Sequence, residues 1–544
     1  MITLLLALAL PALAAEPPQP SLLKNRPVTA LADEVIELKP VDGHHFNVEA
    51  PQKCGKDRPL EVVPRRVRCQ MTRTGKTAVM VSVCDDALTF CRQESFDVLV
   101  TGVSRSTAKK SPMAAPPKES RHAPQGFLDN VPDEAVARAK KEKKLLFIDF
   151  YGIWCPPCND LEEHSYPTAE FRAASKDLVK LAMDADAASS FDWKTRFKVG
   201  GYPTLIIADA QLREIGRVVG FKSGVGLVQF INEANAHRDE PVEAAAELVA
   251  KGGGGANALR RMRVAQWLSD RGEFEKVETL LKDLPIPQAR KILLAARRER
   301  ARLQDDAAAG LAALKELIKS FPDDPDYSDW ASTLADVDPA AARAIEGDLR
   351  KSVDRWSSDN SLGATGYDTG DLFANLASFL DAIGSTEAAK AVWSKTADAY
   401  AAQAKFSPLA VARAANFGRG EALMKAGRNP EAKKLYESLV KAYPKEFTFN
   451  YDYATQLSDL EPAAAYPYAV TAVQSAYGDN WLRAVRLKAS LELKLGKPDD
   501  AAKTLDEALA QAAPPKSAAV RTYRYITALR ELRAKVAAAS AKKT

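Results

Sequence analysis

The chain has 544 residues, of which 46% are hydrophobic and 27% charged, and its formal net charge is +5. That length is too great for one ordinary core and points to three or four domains, and the composition fits a soluble globular protein. Interleaved Lys, Arg, Asp and Glu with so small an excess exclude a protein built to bind nucleic acid or an anionic membrane surface.

Met1 to Leu10 reads as the apolar core of a secretory signal, although the usual basic start is missing. Ala12-Leu13-Ala14 supplies small residues for cleavage, so residues 1–15 are expected to be a signal peptide. No cysteine follows the apolar run, which argues against a lipid anchor. No other stretch approaches the roughly 18–20 apolar residues of a membrane span. The mature protein is therefore expected to be soluble and periplasmic, or otherwise exported. Its six cysteines, Cys54, Cys69, Cys84, Cys91, Cys155 and Cys158, suit such a compartment as disulfides. Zinc is the rival reading for the first four, but their gaps do not match close ligand pairs. No metal site and no cofactor are expected.

Residues 20–103 read as a β-sandwich domain with four cysteines. Val35–Leu38, Leu60–Val63, Val79–Val83 and Phe96–Val100 are short, β-branched and partly alternating. The four cysteines allow three pairings, and the sequence does not choose among them. Residues 104–125, rich in Ser, Lys, Ala and Pro, read as a disordered linker. Residues 126–238 form the next unit. A helix over 133–144 is followed by a strand at Leu145–Tyr151, then Cys155-Pro156-Pro157-Cys158 opening a helix that runs to Glu163. Strands follow at Leu178–Asp184, Thr204–Ala208 and Glu214–Val219, and a helix at Gly224–Ala236 closes the unit. The order is βαβ, then ββα.

Residues 239–257, with their glycine run, read as a linker, and residues 258–540 as a helical repeat domain. Gly427-Arg428-Asn429-Pro430-Glu431-Ala432 resembles Gly496-Lys497-Pro498-Asp499-Asp500-Ala501, 69 residues on. That is close to twice the period of about 34 residues seen in tetratricopeptide repeats. Gly420, Ala432 and Tyr436 form the clearest unit, Gly384, Ala389 and Trp393 an upstream copy, and Gly272 and Leu281 a fainter one. The resemblance to tetratricopeptide repeats covers about 370–515 and implies stacked helix pairs with a surface for a protein partner.

The Cys-x-x-Cys pair names a chemistry. A cysteine at a helix start meets unpaired N–H groups and the positive end of the helix dipole, which favour the nucleophilic thiolate. Around it, Asp149 lies six residues before Cys155, Gly201-Tyr202-Pro203-Thr204 precedes a strand, and Lys180 lies on the preceding strand. Together these resemble the thioredoxin family over nearly all of residues 126–238. The resemblance implies Cys155 as the attacking thiolate, exposed at the helix start, and Cys158 as the resolving thiol. It also implies Asp149 as a buried carboxyl exchanging a proton with Cys158, with Lys180 nearby, and Pro203 as a cis-proline beside Cys155. Trp154 and Tyr202 are the expected substrate contacts. His164 and the His44-His45 pair read as surface residues.

Residues 143–220 look most like the C-terminal periplasmic domain of the thiol:disulfide interchange protein DsbD family. Val81 to Cys91 resembles that family's immunoglobulin-like N-terminal domain, which makes Cys84 and Cys91 a possible second redox pair. Six residues separate them, one more than that family's spacing, and the family's membrane domain is absent. The expected function is an exported thiol–disulfide oxidoreductase that reduces disulfides of client proteins, with helical repeats recruiting partners. The alternatives are a repeat-based scaffold whose thioredoxin unit is a binding module, or a disulfide oxidase or isomerase. No flavin or nicotinamide fingerprint is found, so an external, membrane-borne electron donor is expected.

Overall fold

A computed structural model describes residues 20–101 and 124–541, apart from 32–34, 60, 72–73, 88, 253–257, 360–361, 363–366, 445 and 513–521. The expected signal peptide and nearly all of the expected 104–125 linker lie outside the described residues.

The chain divides into two compact units, residues 1–103 and 104–544. In the first, β1 (Thr29–Leu31), β3 (His44–Phe46), β4 (Lys53–Cys54), β7 (Gly75–Asp85) and β8 (Cys91–Thr101) form one sheet. β2 (Val35–Leu38), β5 (Glu61–Val63) and β6 (Arg66–Gln70) form a second, antiparallel sheet. Alternation along β7 turns Val79, Val81 and Val83 inward against Leu38, Phe46 and Val67, and all six are fully buried. This is the expected sandwich. Its disulfides pair Cys54 with Cys69 and Cys84 with Cys91. The first ties β4 of one sheet to β6 of the other. The second joins residues directly opposite each other in the β7–β8 hairpin.

In the second unit, β9 (Leu128–Asp129), β10 (Leu145–Tyr151), β11 (Leu178–Asp184), β12 (Thr204–Ala208) and β13 (Glu214–Val219) form one sheet in the order β13-β12-β10-β11-β9. β10 pairs with β11 in parallel and with β12 antiparallel. Every residue of β10 is buried, because helices cover both faces of the sheet. Ala135 and Ala139 of α1 (Pro132–Glu142) pack on the face of Leu146, Ile148 and Phe150. Phe171 of α3 (Ala169–Ala174), and Leu227, Phe230 and Ile231 of α5 (Gly224–Ala236), pack on the face of Phe147. Between them in sequence, α2 (Pro156–Asp160) runs into a π-helical turn, Leu161–Ser165, and α4 (Phe191–Arg196) follows β11.

The rest of this unit is helical. Residues 239–257, expected to be a linker, include the helix Val242–Ala250. Val242, Ala245 and Val249, at helical spacing, are buried with Trp267 and Phe274 of the next two helices. From Ala258 the helices stack in pairs, joined at Gly272, Gly384, Gly427 and Gly496, all with positive φ. Small-to-large packing follows the expected pattern: a Cβ on Gly420 would lie 2.5 Å from the Tyr436 hydroxyl. Ala389, Trp393, Ala432 and Tyr436 share one continuous core. No helix among the described residues is long and apolar enough to cross a membrane.

Candidate active site

β10 delivers the chain to the site. Beyond Tyr151 it turns through Gly152 to Trp154, and Cys155 stands at the N-cap of α2, in extended backbone. The Cys155 sulfur accepts the backbone N–H of Cys158 at 3.3 Å, and Pro156 and Pro157 occupy the first helical turn, where a missing N–H costs least. Asn159 is buried and donates from its side-chain amide to the carbonyl oxygens of Cys155, at 2.9 Å, and Ile153, at 3.3 Å. Cys155 and Cys158 are joined in a disulfide. The Tyr202–Pro203 peptide is cis, and the Trp154 and Tyr202 rings meet edge to face at 5.6 Å.

Asp149 is buried on the same side of β10 as Tyr151, which leads into this loop. Its Oδ2 accepts the Tyr166 hydroxyl at 2.8 Å. Burial first, and the neighbouring Asp149 second, push the Tyr166 phenol well above its usual range. Lys180 is the residue that the thioredoxin resemblance puts near this carboxyl. Its ammonium bonds to Ser175 Oγ at 3.4 Å and lies over the Phe127 and Phe171 rings, and burial lowers its pKa.

The exposure expected of Cys155 is not what the fold provides. Cys155 is 3% exposed and Cys158 7%. Both belong to a buried cluster with Phe447, Tyr477 and Trp481, which come from the repeat helices. Hydrogen bonds fasten this cover. Trp154 Nε1 donates to Asp186 Oδ2 at 2.7 Å, and the Asn480 amide donates to the same oxygen. The Tyr477 hydroxyl donates to Asp184, and burial followed by that carboxylate raises the Tyr477 pKa. Beyond α2, Glu163 accepts the backbone N–H groups of Arg413 and Ala414, at 2.9 and 3.0 Å, and the Ser407 hydroxyl at 2.6 Å. Glu163 thereby caps the repeat helix Ala414–Lys425.

Sequence reasoning brought Cys155, Cys158, Asp149, Pro203, Trp154 and Tyr202 together, and it missed Tyr166, Asp184, Asp186, Glu163, Tyr477 and Asn480. Acidic Asp184 and Asp186 at the end of an apolar strand are the one local signal among these. Tyr477 and Asn480 lie almost 300 residues away in sequence, where no local pattern reaches. Cys84 and Cys91 sit in the other unit, with Cys84 buried and Cys91 exposed.

A five-stranded sheet covered on both faces, a Cys-x-x-Cys pair opening a helix and a cis-proline before the next strand define a thioredoxin-like domain. Helix pairs of tetratricopeptide type follow it in the same chain. Residues 131–233 match the family model described as Thioredoxin, and residues 414–446 match the one described as Tetratricopeptide repeat. The thiol:disulfide interchange protein DsbD of Ralstonia nicotianae is 39% identical over 93 residues, covering 16% of this chain and 15% of its own. The protein of the same name from Cronobacter sakazakii is 39% identical over 93 residues, 16% of each chain. The chain thus spans less than a fifth of the length of these relatives. Among solved structures, the TPR2AB domain of yeast Sti1 in its pHSP90 complex covers 54% of this chain and 98% of its own at 16% identity and a TM-score of 0.20. The Thioredoxin and DsbD matches support thiol–disulfide oxidoreductase chemistry at the level of the thioredoxin domain.

Proposed function

We propose that this protein is an exported thiol–disulfide oxidoreductase that reduces disulfides of client proteins, with the helical repeats presenting those clients to the redox pair. The observation that carries the reading is the Cys155–Cys158 disulfide at the start of α2, with buried Asp149 on the strand that leads into it. In the reduced protein, the Cys155 thiolate attacks a client sulfur and the other client sulfur leaves. Cys158 then displaces the client from Cys155 and closes the pair. The Cys158 N–H, which reaches the Cys155 sulfur at 3.3 Å, favours the attacking thiolate. An external donor, borne by a membrane protein, would return the two electrons. The Cys84–Cys91 pair, with its exposed Cys91, is the proposed second redox centre, and Cys54–Cys69 a structural bridge between sheets.

Cys155→Ser is expected to abolish disulfide reduction by the full-length protein, and Cys158→Ser to accumulate mixed disulfides through Cys155, identifiable by mass spectrometry. Undiminished reduction by Cys155→Ser would sink the proposal. The burial of both sulfurs under Tyr477 and Trp481 favours a second reading, in which the thioredoxin unit is a binding module of a repeat scaffold. That reading requires Cys155→Ser to leave the cellular phenotype intact.

A further inference from the structure

A cleft of 570 Å³ runs beside the active-site loop. Trp154, Pro156, Pro157 and Asp160 line it from the redox domain. From the repeats come residues of the helices Thr369–Ala382, Thr386–Ala404, Ala414–Lys425, Asn429–Ala442 and Phe447–Leu457. The sulfurs' cover, Tyr477 and Trp481, takes no part in it. Pro156 and Pro157, between the two cysteines, thus line the cleft, while neither cysteine does.

The lining is acidic. Asp160, Asp368, Asp371, Glu421 and Asp452 all contribute, and no Lys, Arg or His is among the lining residues. Their hydrogen bonds are incomplete: Asp160 Oδ1 and Gln403 Oε1 are buried acceptors with no donor in reach. His164 Nε2 stands 3.9 Å from that Asp160 oxygen, too far for a hydrogen bond. Asp371 accepts the Tyr400 hydroxyl at 2.9 Å, and Asp368 and Asp371 each donate a backbone N–H to the other's carboxylate. Arg483 is the cation whose charge reaches Asp452, opposed by Glu421.

Burial and crowding make these carboxyls hold protons, and at Asp452 the Arg483 charge opposes this. Burial, reinforced by Asp368, Asp371 and Glu163, pushes Asp160 up to about 8. Burial and Asp368 push Asp371 to about 7, and burial pushes Asp452 to about 7. A cation that enters would replace those protons and give the orphaned oxygens a donor. The Trp154 ring in the same lining suits the stem of a long basic side chain.

We propose that this cleft is the client-binding site, and that it receives an extended segment carrying Lys or Arg beside the cysteine that reacts with Cys155. The proposal rests on the reading of Cys155 and Cys158 as an exchange site. The cleft sets which disulfides reach the pair, through the charge of the residues that flank them.

The test uses the reduced full-length protein and two symmetric peptide disulfides, with cysteine flanked by lysines in one and by glutamates in the other. Cys155 attacks one peptide sulfur, the S–S bond breaks and the leaving peptide thiolate takes a proton. Cys158 releases the second peptide thiol, so that two electrons pass from the pair to the peptide disulfide. Each rate is corrected for the Cys155→Ser background and divided by the rate with dithiothreitol in free solution, which removes the effect of flanking charge on the leaving thiol. The lysine peptide is expected to react at least about tenfold faster, the range of electrostatic focusing in a charged cleft. In Asp368→Asn/Asp371→Asn/Asp452→Asn the ratio of the two corrected peptide rates should fall toward one. Should that variant fail to fold, Glu421→Gln, at an exposed position, should lower the preference by about two- to threefold, and raised salt should do the same in the unaltered protein. Equal corrected rates for the two peptides, with the uncharged bis(2-hydroxyethyl) disulfide still reduced, would overturn the cleft and spare the exchange site. No Cys155-dependent reduction of any of the three would overturn the exchange site, and the cleft with it.

Discussion

Asp149 was legible in the sequence because it stands at a fixed distance before Cys155 on a strand whose apolar run marks it as buried. Its partner was not, because Tyr166 reaches it from the end of a π-helical turn that periodicity does not announce. The expected neighbour, Lys180, shares the face but bonds to Ser175 instead. A buried carboxyl leans on each donor it has, so the Tyr166 hydroxyl matters out of proportion to its size. Tyr166→Phe keeps the ring packed against Phe127 and Phe171 and removes only that hydroxyl. The substitution is expected to cost about 1–3 kcal/mol, seen as a lower urea midpoint with an unchanged slope. An unmoved midpoint would show that the hydroxyl contributes nothing to the fold.

At the scale of elements, five segments of the redox domain were readable to the residue: Leu145–Tyr151, Leu178–Asp184, Thr204–Ala208, Glu214–Val219 and Gly224–Ala236. Each is an unbroken apolar run or amphipathic stretch bounded by turn residues, so local pattern and tertiary role agree. The repeat turns were readable for a different reason. Gly384, Gly427 and Gly496 end their helices in the left-handed conformation, which glycine adopts without strain, and a helix start follows each. What failed were the short pieces: two-residue β9, α3, and the helix Val242–Ala250, masked by the glycine run after it. The start of Ala414–Lys425 also escaped, because its cap, Glu163, belongs to another domain. An Ala at that position leaves two helix-terminal N–H groups without their acceptor. Glu163→Ala is expected to cost about 1–2 kcal/mol, a factor of roughly 5–30 in opening. Amide hydrogen exchange at Arg413 and Ala414 should accelerate accordingly, with Glu163→Gln, which keeps an acceptor oxygen, intermediate. Unchanged exchange at those amides would mean that the cap does not hold the helix start.

At the scale of the molecule, sequence supplied the domains in order but not that the repeats fold back over the redox pair. That burial is built from contacts such as Tyr477 with Asp184 and Arg413 with Glu163, between residues that share no local pattern. Its electrostatic consequence is also collective. Where the redox domain meets the repeats, Asp160 titrates at about 8 and Asp371 and Asp452 at about 7, all raised mainly by burial from an ordinary 3.8. A carboxyl with a raised folded-state pKa binds more protons folded than unfolded at every pH between its two pKa values. Its contribution is fully present below about pH 4 and is lost as the pH rises through 7 to 8, where deprotonation sets buried like charges against one another. Stability of the full chain should therefore fall as the pH climbs from 6 to 9, in the direction opposite to that of an ion-paired carboxylate. Asp160→Asn removes the group with the highest of these values and keeps its shape, so its melting temperature should decline less steeply over the same interval. Parallel pH profiles for Asp160→Asn and the unaltered protein would show that Asp160 carries no such linkage. A flatter profile, with most of the gain at pH 9, would trace it to the crowded carboxyls where the two domains meet.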